Sequence, residues 1–282
     1  MKFTKMQGAG NDFVVIESKN RRFDWSKLAI EICDRHYGVG ADGLLLMLPS
    51  KVADFQMRIF NSDGSESTTC GNGLRCLVKH YTDMNNDRHD SEISIETSVG
   101  VRKARIHRRK DKVTEIQASM GEPRVGHNGT SAKAVYRKNQ LDIKSVMNRT
   151  IKINGHDLLL NLVSIGNQHA VHFYDGSVAD FPLAEFGPKV EQHKLFPDET
   201  NFEVVKIISR KEVEARVWER GVGETLACGS GACAITAAGH LLGELDSKVA
   251  VKLPGGTLIV EWDIDGEVFL SGPAVSTFTG EW

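Results

Sequence analysis

The chain has 282 residues, with 35 Lys and Arg against 37 Asp and Glu, a formal charge of −2, and 40% apolar residues. That length holds one large domain or two ordinary ones with real cores. The near-neutral charge gives no electrostatic case for a nucleic-acid or acidic-membrane partner. No apolar run approaches the roughly 18 residues of a membrane-crossing helix. Met1–Asp12 has no apolar signal core, so a cytoplasmic protein is expected. Its five cysteines, Cys33, Cys70, Cys76, Cys228 and Cys233, are odd in number and sparse, which favours reduced thiols over a disulfide framework. The sequons at Asn128 and Asn148 are then chance matches.

In chain order, a helical segment at Trp25–Arg35 precedes Gly38-Val-Gly40-Ala-Asp-Gly43 and an apolar, strand-like run through Leu44–Leu48. The glycines match a dinucleotide fingerprint in letters only, because that motif needs strand, loop, then helix, and here the order is reversed. An alternating strand at Phe55–Phe60 leads into a Gly-rich turn carrying Cys70. Behind it Leu74, Leu77, Val78 and Tyr81 have the spacing of one apolar helix face. Ile93–Ile95 and Val101–Ile106 predict a strand pair. The basic residues Arg102, Lys103, Arg105, Arg108, Arg109, Lys110 and Lys112 lack interleaved aromatics and read as a solvated hairpin end. The polar stretch Gly126–Gln140 reads as a loop or a connection between halves.

The second half repeats the plan. A strand at Val213–Trp218 enters a Gly-rich turn with Cys228, followed by a helix at Ala232–Leu242 with Gly243 as its stop. Strands at Val249–Leu253 and Thr257–Trp262 are joined by the turn Pro254-Gly255-Gly256. The Ala/Leu-rich helix is apolar nearly all round and belongs inside something, such as a sheet wrapped around it. At an offset of 158, Arg58 meets Arg216, Glu66 meets Glu224, and Cys70-Gly-Asn-Gly73 meets Cys228-Gly-Ser-Gly231. At 156, Gly10-Asn11 meets Gly166-Asn167 and Gly100 meets Gly256. Matches in the same order at nearly one offset predict two homologous α+β halves.

A Cys at a helix N-terminus feels the positive end of the dipole, which favours its thiolate, and the neighbouring backbone N–H groups can hold a carboxylate. Two such cysteines from related halves can face one carbon from opposite sides, one as thiolate and one as thiol. That is the arrangement for inverting a stereocentre by deprotonation and reprotonation. A zinc site is the weaker reading: C-x5-C and C-x4-C are loose hooks, and Cys76 and Cys233 fall within predicted helices. No Cys-x-x-Cys redox motif is present. Cys33, Cys76 and Cys233 read as small core residues. Glu219-Arg220, closing a strand before Cys228, can bind the ammonium and carboxylate of an amino acid or stand as an exposed ion pair.

Four blocks carry a resemblance over nearly the whole chain. They are Lys5-Met-Gln-Gly-Ala-Gly-Asn-Asp-Phe13; Asn61-Ser-Asp-Gly-Ser-Glu66 with Cys70-Gly-Asn-Gly; Gly166-Asn-Gln-His169; and Glu219-Arg-Gly-Val-Gly-Glu-Thr-Leu-Ala-Cys-Gly-Ser-Gly231. In these the chain resembles the diaminopimelate epimerase family. The resemblance implies two pseudo-symmetric domains, residues 1–125 and 126–282, each a mixed or antiparallel sheet curled around a central helix. Residues from about 272 would pack back onto the first. It implies a homodimer that needs neither pyridoxal phosphate nor metal and converts LL-diaminopimelate to the meso form for lysine and cell-wall synthesis. A two-thiol racemase of proline or hydroxyproline type is the alternative. Position by position, it makes Cys70 and Cys228 the acid–base pair. Gly71-Asn72 and Gly229-Ser230 become backbone carboxylate grips, and Asn11, Asn61, Asn167, Asn201, Glu219 and Arg220 the other substrate contacts. His169 and Glu219 would tune the thiols. Many members carry Gln where Gly43 stands and Pro where Gln168 stands, so no side-chain contact is assigned to Gly43.

Overall fold

The computed structural model describes residues 1–20, 22–67, 70–85, 91–109, 112–126, 129–132, 143–262 and 266–282. The chain divides into two compact units, Met1–Ser119 with Ser271–Trp282, and Met120–Leu270.

Unit 1 contains β1 (Lys2–Gly8), β2 (Asn11–Glu17), α1 (Trp25–Cys33), β3 (Gly43–Leu48), β4 (Phe55–Asn61), β5 (Glu66–Ser67), α2 (Gly71–Met84), β6 (Glu92–Thr97) and β7 (Gly100–Arg109). The next strand, β8 (Lys112–Gly121), leads out of it. The strand run β1–β2–β3–β4 is mixed, with β2–β3 parallel and its other two pairings antiparallel, and β4 continues into β6 in parallel. Every residue of β3 is buried, because the strand serves two cores at its period of two. Leu45 and Met47 join Leu74, Leu77 and Val78 of α2, while Leu44, Leu46 and Leu48 meet Trp25, Leu28 and Ile32 of α1. Of the α2 face expected from sequence, Leu74, Leu77 and Val78 are buried and Tyr81 is half-buried against the same core, and the helix packs against β1 to β4.

Helix α1 ends at Cys33 rather than at Arg35. Asp34 leaves helical geometry, and its carboxylate accepts the N–H groups of His36 at 2.7 Å and Tyr37 at 2.8 Å. That local bond competes with another helical turn.

Unit 2 contains β9 (Arg124–Val125), β10 (Thr130–Ser131), α3 (Ile143–Met147), β11 (Asn148–Ile153), β12 (His156–Ser164), β13 (Gln168–Phe173), α4 (Leu183–Glu191), β14 (Asn201–Ser209), β15 (Glu212–Glu219), β16 (Gly223–Thr225), α5 (Gly229–Leu241), β17 (Lys248–Leu253), β18 (Gly256–Trp262) and β19 (Val268–Ser271, whose last residue belongs to unit 1). A final strand, β20 (Val275–Glu281), returns to unit 1 and pairs antiparallel with β1. The topology around α5 parallels that around α2: β13–β14 is parallel, β14–β15 antiparallel, and β15–β17 parallel. Helix α5 is buried nearly all round and packs against β12, β13, β14, β17 and β18. Part of the stretch expected to be loop is strand: Thr130–Ser131 pairs with Arg124–Val125. Residues 127–128 and 133–140 of that stretch, and Lys110 of the basic hairpin, lie outside the described residues.

Candidate active site

In unit 1 the hairpin β4–β5 ends three residues before Cys70, which caps α2. Its backbone is extended (φ −151°, ψ 106°), and Sγ accepts the N–H of Gly73 at 3.3 Å. Sulfur thus stands where a Ser or Asp oxygen usually caps. The N–H groups of Gly71 and Asn72 open the helix ahead of any intrahelical carbonyl partner, at the positive end of its dipole. The Asn72 side chain is buried, and its Oδ1 accepts from Arg75 Nη2 at 2.6 Å.

The Cys70 thiol donates to Asn11 Oδ1 at 3.8 Å, while Asn11 Nδ2 donates to Asp42 Oδ2 at 2.6 Å. Asp42 therefore sets which end of the amide faces the sulfur. Arg35 Nη2 bridges Asp42 Oδ1 at 2.8 Å and Asp12 Oδ1 at 2.7 Å, and Lys5 Nζ reaches Asp12 Oδ2 at 2.6 Å. Burial by itself would raise the Asp12 carboxyl, but the hydrogen bonds and charges of Arg35 and Lys5 outweigh it and bring it to about 2. This network was not assigned from sequence. Its signal was an Asp within the Gly38–Gly43 segment whose dinucleotide reading fails.

Asn61 turns to its own loop, donating from Nδ2 to Ser65 Oγ at 2.9 Å, and lies opposite Gly43 in the β3–β4 pair. A Cβ on Gly43 would stand 2.7 Å from the Phe60 carbonyl oxygen. No side chain enters there without moving backbone, so the departure at Gly43 is built into this hairpin.

In unit 2 the hairpin β15–β16 ends three residues before Cys228, which caps α5 with φ −120° and ψ 115°. Its Sγ accepts the Gly231 N–H at 3.4 Å and lies 3.5 Å from Ser230 Oγ. His169 Nδ1 is 2.6 Å from Glu203 Oε1, both side chains being fully buried, and His169 Nε2 is 3.0 Å from Asn167 Oδ1. Asn201 Nδ2 donates to the Gln168 carbonyl at 2.9 Å, and its Oδ1 accepts the Arg220 backbone N–H at 3.0 Å. Glu219 and Arg220 turn to different partners. Thr225 Oγ1 donates to Glu219 Oε1 at 2.5 Å, and Arg220 Nη1 donates to the Asp198 carbonyl at 2.8 Å.

Electrostatics around the second sulfur correct one expectation. Burial, then the negative charges of Glu219 and Glu203, push the Cys228 thiol well above its usual range, against the pull of Ser230 and the Gly231 N–H. The helix end is outweighed, and Cys228 rests as a thiol. Burial likewise raises the Glu219 carboxyl, although Thr225, Cys228 and His169 favour its ionised form. Glu203 is the residue the sequence reading left without a role. A Cβ on Gly231 would lie 2.8 Å from Glu203 Oε1, so that glycine makes room for the carboxylate beside the capping turn. Cys33, Cys76 and Cys233 are buried in α1, α2 and α5, and burial pushes Cys33 and Cys76 up to about 12.

The fold is shared with solved structures of low sequence identity. A hydroxyproline epimerase from Agrobacterium vitis superposes with a TM-score of 0.71 at 13% identity, covering 99% of this chain and 91% of that one. A phenazine biosynthesis protein of the PhzF family from Bacillus anthracis gives 0.70 at 17% identity, covering 99% and 98%. These likenesses show the shared fold, on which each unit of this chain carries one helix-capping cysteine. The diaminopimelate epimerase family model matches residues 3–126 and 161–277. The diaminopimelate epimerases of Agathobacter rectalis and Desulfovibrio desulfuricans are 42% and 43% identical, each across 100% of this chain and 99% and 98% of their own lengths. The chain belongs to the diaminopimelate epimerase family.

Proposed function

We propose that this enzyme converts LL-diaminopimelate to meso-diaminopimelate by proton exchange between two thiols, without pyridoxal phosphate or metal. The observation that carries the reading is that each unit presents one cysteine as the cap of a buried helix, its sulfur accepting the N–H three residues on at 3.3 and 3.4 Å. Cys70 and Cys228 are the acid–base pair, and they exchange roles with the direction of the reaction. A thiolate takes the α-proton, and charge spreads into the adjacent carboxylate. Backbone N–H groups of Gly71, Asn72, Gly229 and Ser230 are the donors suited to that charge. The second thiol then protonates the opposite face of the same carbon, leaving the two sulfurs with exchanged roles. Asn11, Asn61, Asn167, Asn201, Glu219 and Arg220 take the remaining ammonium and carboxylate groups, and His169 and Glu219 tune the thiols. The enzyme acts as a homodimer in the cytoplasm, supplying lysine and cell-wall synthesis.

The hydroxyproline epimerase neighbour keeps a second reading in view: a two-thiol racemase of proline or hydroxyproline type. Relatives named diaminopimelate epimerase at 42–43% identity favour the first reading over a fold match at 13%. A stereochemical assay of purified enzyme with LL-diaminopimelate, proline, hydroxyproline and glutamate, with no added cofactor, tests the choice. Inversion of LL-diaminopimelate at least about a hundredfold faster than of the others is expected. Faster inversion of a cyclic imino acid would select the alternative.

A further inference from the structure

Aligned at the 158-residue offset, residues 58–73 and 216–231 share five identities: Arg58 with Arg216, Glu66 with Glu224, Cys70 with Cys228, Gly71 with Gly229, and Gly73 with Gly231. Three of these are the capping Cys-Gly-x-Gly turn. The other two are partners. Arg58 Nε and Nη2 donate to the two carboxylate oxygens of Glu66 at 2.7 and 2.8 Å. Arg216 Nε and Nη2 donate to those of Glu224 at 2.7 and 2.9 Å.

The hairpins agree in register as well. Phe60 opposes Glu66 and Trp218 opposes Glu224, so in each case the arginine reaches the glutamate diagonally across the pleat. Net charge attraction is only part of what these pairs supply. The side chains are 20–27% exposed for the arginines and 36–42% for the glutamates, so solvent screens part of the attraction. A two-pronged fork does fix direction. Strands β5 and β16, of two and three residues, are too short to hold their own orientation, and each ends three residues before its cysteine. Arg58 is further seated over the Phe60 ring at 4.8 Å, and Arg216 donates to the Val178 and Phe181 carbonyls at 2.8 and 3.0 Å. Each arginine is thus anchored to its own unit while it grips the strand that leads to the thiol.

We propose that Arg58–Glu66 and Arg216–Glu224 are positioning pairs, each fixing the short strand that leads to its own unit's cysteine, Cys70 or Cys228. The inference rests on the reading that both sulfurs react, but its main readout does not need turnover. In the full-length enzyme, Glu66→Gln, Arg58→Lys, Glu224→Gln and Arg216→Lys are each treated with iodoacetamide. Modification of Cys70 and Cys228 is followed separately by peptide mass spectrometry, alongside kcat, KM and melting temperature. The lysine variants keep the charge and lose the fork. Both unit 1 variants are expected to raise the rate at Cys70 several-fold and leave Cys228 within about twofold, and both unit 2 variants to do the converse. Melting temperature should hardly move in the two glutamine variants, and in all four kcat should fall roughly tenfold with little change in KM, the signature of a displaced reacting group. Equal changes at both sulfurs, no change at either, or full activity in the lysine variants would overturn the proposal. If the thiols prove unnecessary for turnover, the paired alkylation rates still report on the forks themselves.

Discussion

Replacing either Cys70 or Cys228 with Ala lowers kcat by at least about a thousandfold, and does so in both directions of the reaction. The size follows from what positioned acids and bases contribute, roughly 10² to 10⁴ each. The symmetry follows from reversibility, because the base for LL-diaminopimelate is the acid for the meso isomer. Neither change should unfold the chain. Cys70 is only partly buried, and the backbone bonds that start each helix, Leu74 N–H to Cys70 O at 2.9 Å and Ala232 N–H to Cys228 O at 3.0 Å, survive loss of the sulfur. Loss of the capping acceptor costs about 1 kcal/mol. A polarimetric or coupled assay in each direction on folded variants checks the prediction. Near-normal turnover in either variant would remove that sulfur from the chemistry.

Glu203→Leu is expected to destabilise the protein by about 3 kcal/mol, whereas Glu203→Gln stays within about 1 kcal/mol of the parent. The carboxylate and His169 are fully buried and 2.6 Å apart, so Leu leaves a buried ring nitrogen without its acceptor, while Gln keeps an acceptor there. The same substitution frees the imidazole whose other nitrogen meets Asn167 at 3.0 Å, and kcat falls with it. Denaturant unfolding of the three proteins measures the difference. A Leu variant as stable as the Gln variant would show that the buried pair contributes nothing to the fold.

The duplicated pattern around the two cysteines was legible because it is local. Alternating strands, a Gly-rich turn and the spacing Leu74, Leu77, Val78, Tyr81 are sequence-near signals, and each element formed where the period placed it. Two-sided burial of β3 was hinted at by an unbroken apolar run, but which leucines face α1 and which face α2 is a property of the assembled layers. The polar framework was less visible. Asp42 reaches Asn11 across 31 positions and Glu203 reaches His169 across 34, and no spacing rule connects such pairs. The expectation that a helix end lowers a thiol weighed the dipole alone. At Cys228, burial and two carboxylates that fold in from β14 and β15 reverse the sign. Arg58 and Glu66 were visible as repeated letters, and only the hairpin geometry turned them into a fork.

Two proton carriers acting on one carbon leave their trace in the proton itself, and following it is the most direct measurement. The enzyme is given LL-diaminopimelate in heavy water, and the reaction is sampled over the first few per cent of conversion. With two sulfurs of opposite protonation state, the meso product carries deuterium at the inverted carbon, while recovered LL substrate remains unlabelled. Deuterium entering the LL substrate as fast as it enters product would mean that a single group removes and returns the proton, and would contradict the two-thiol account.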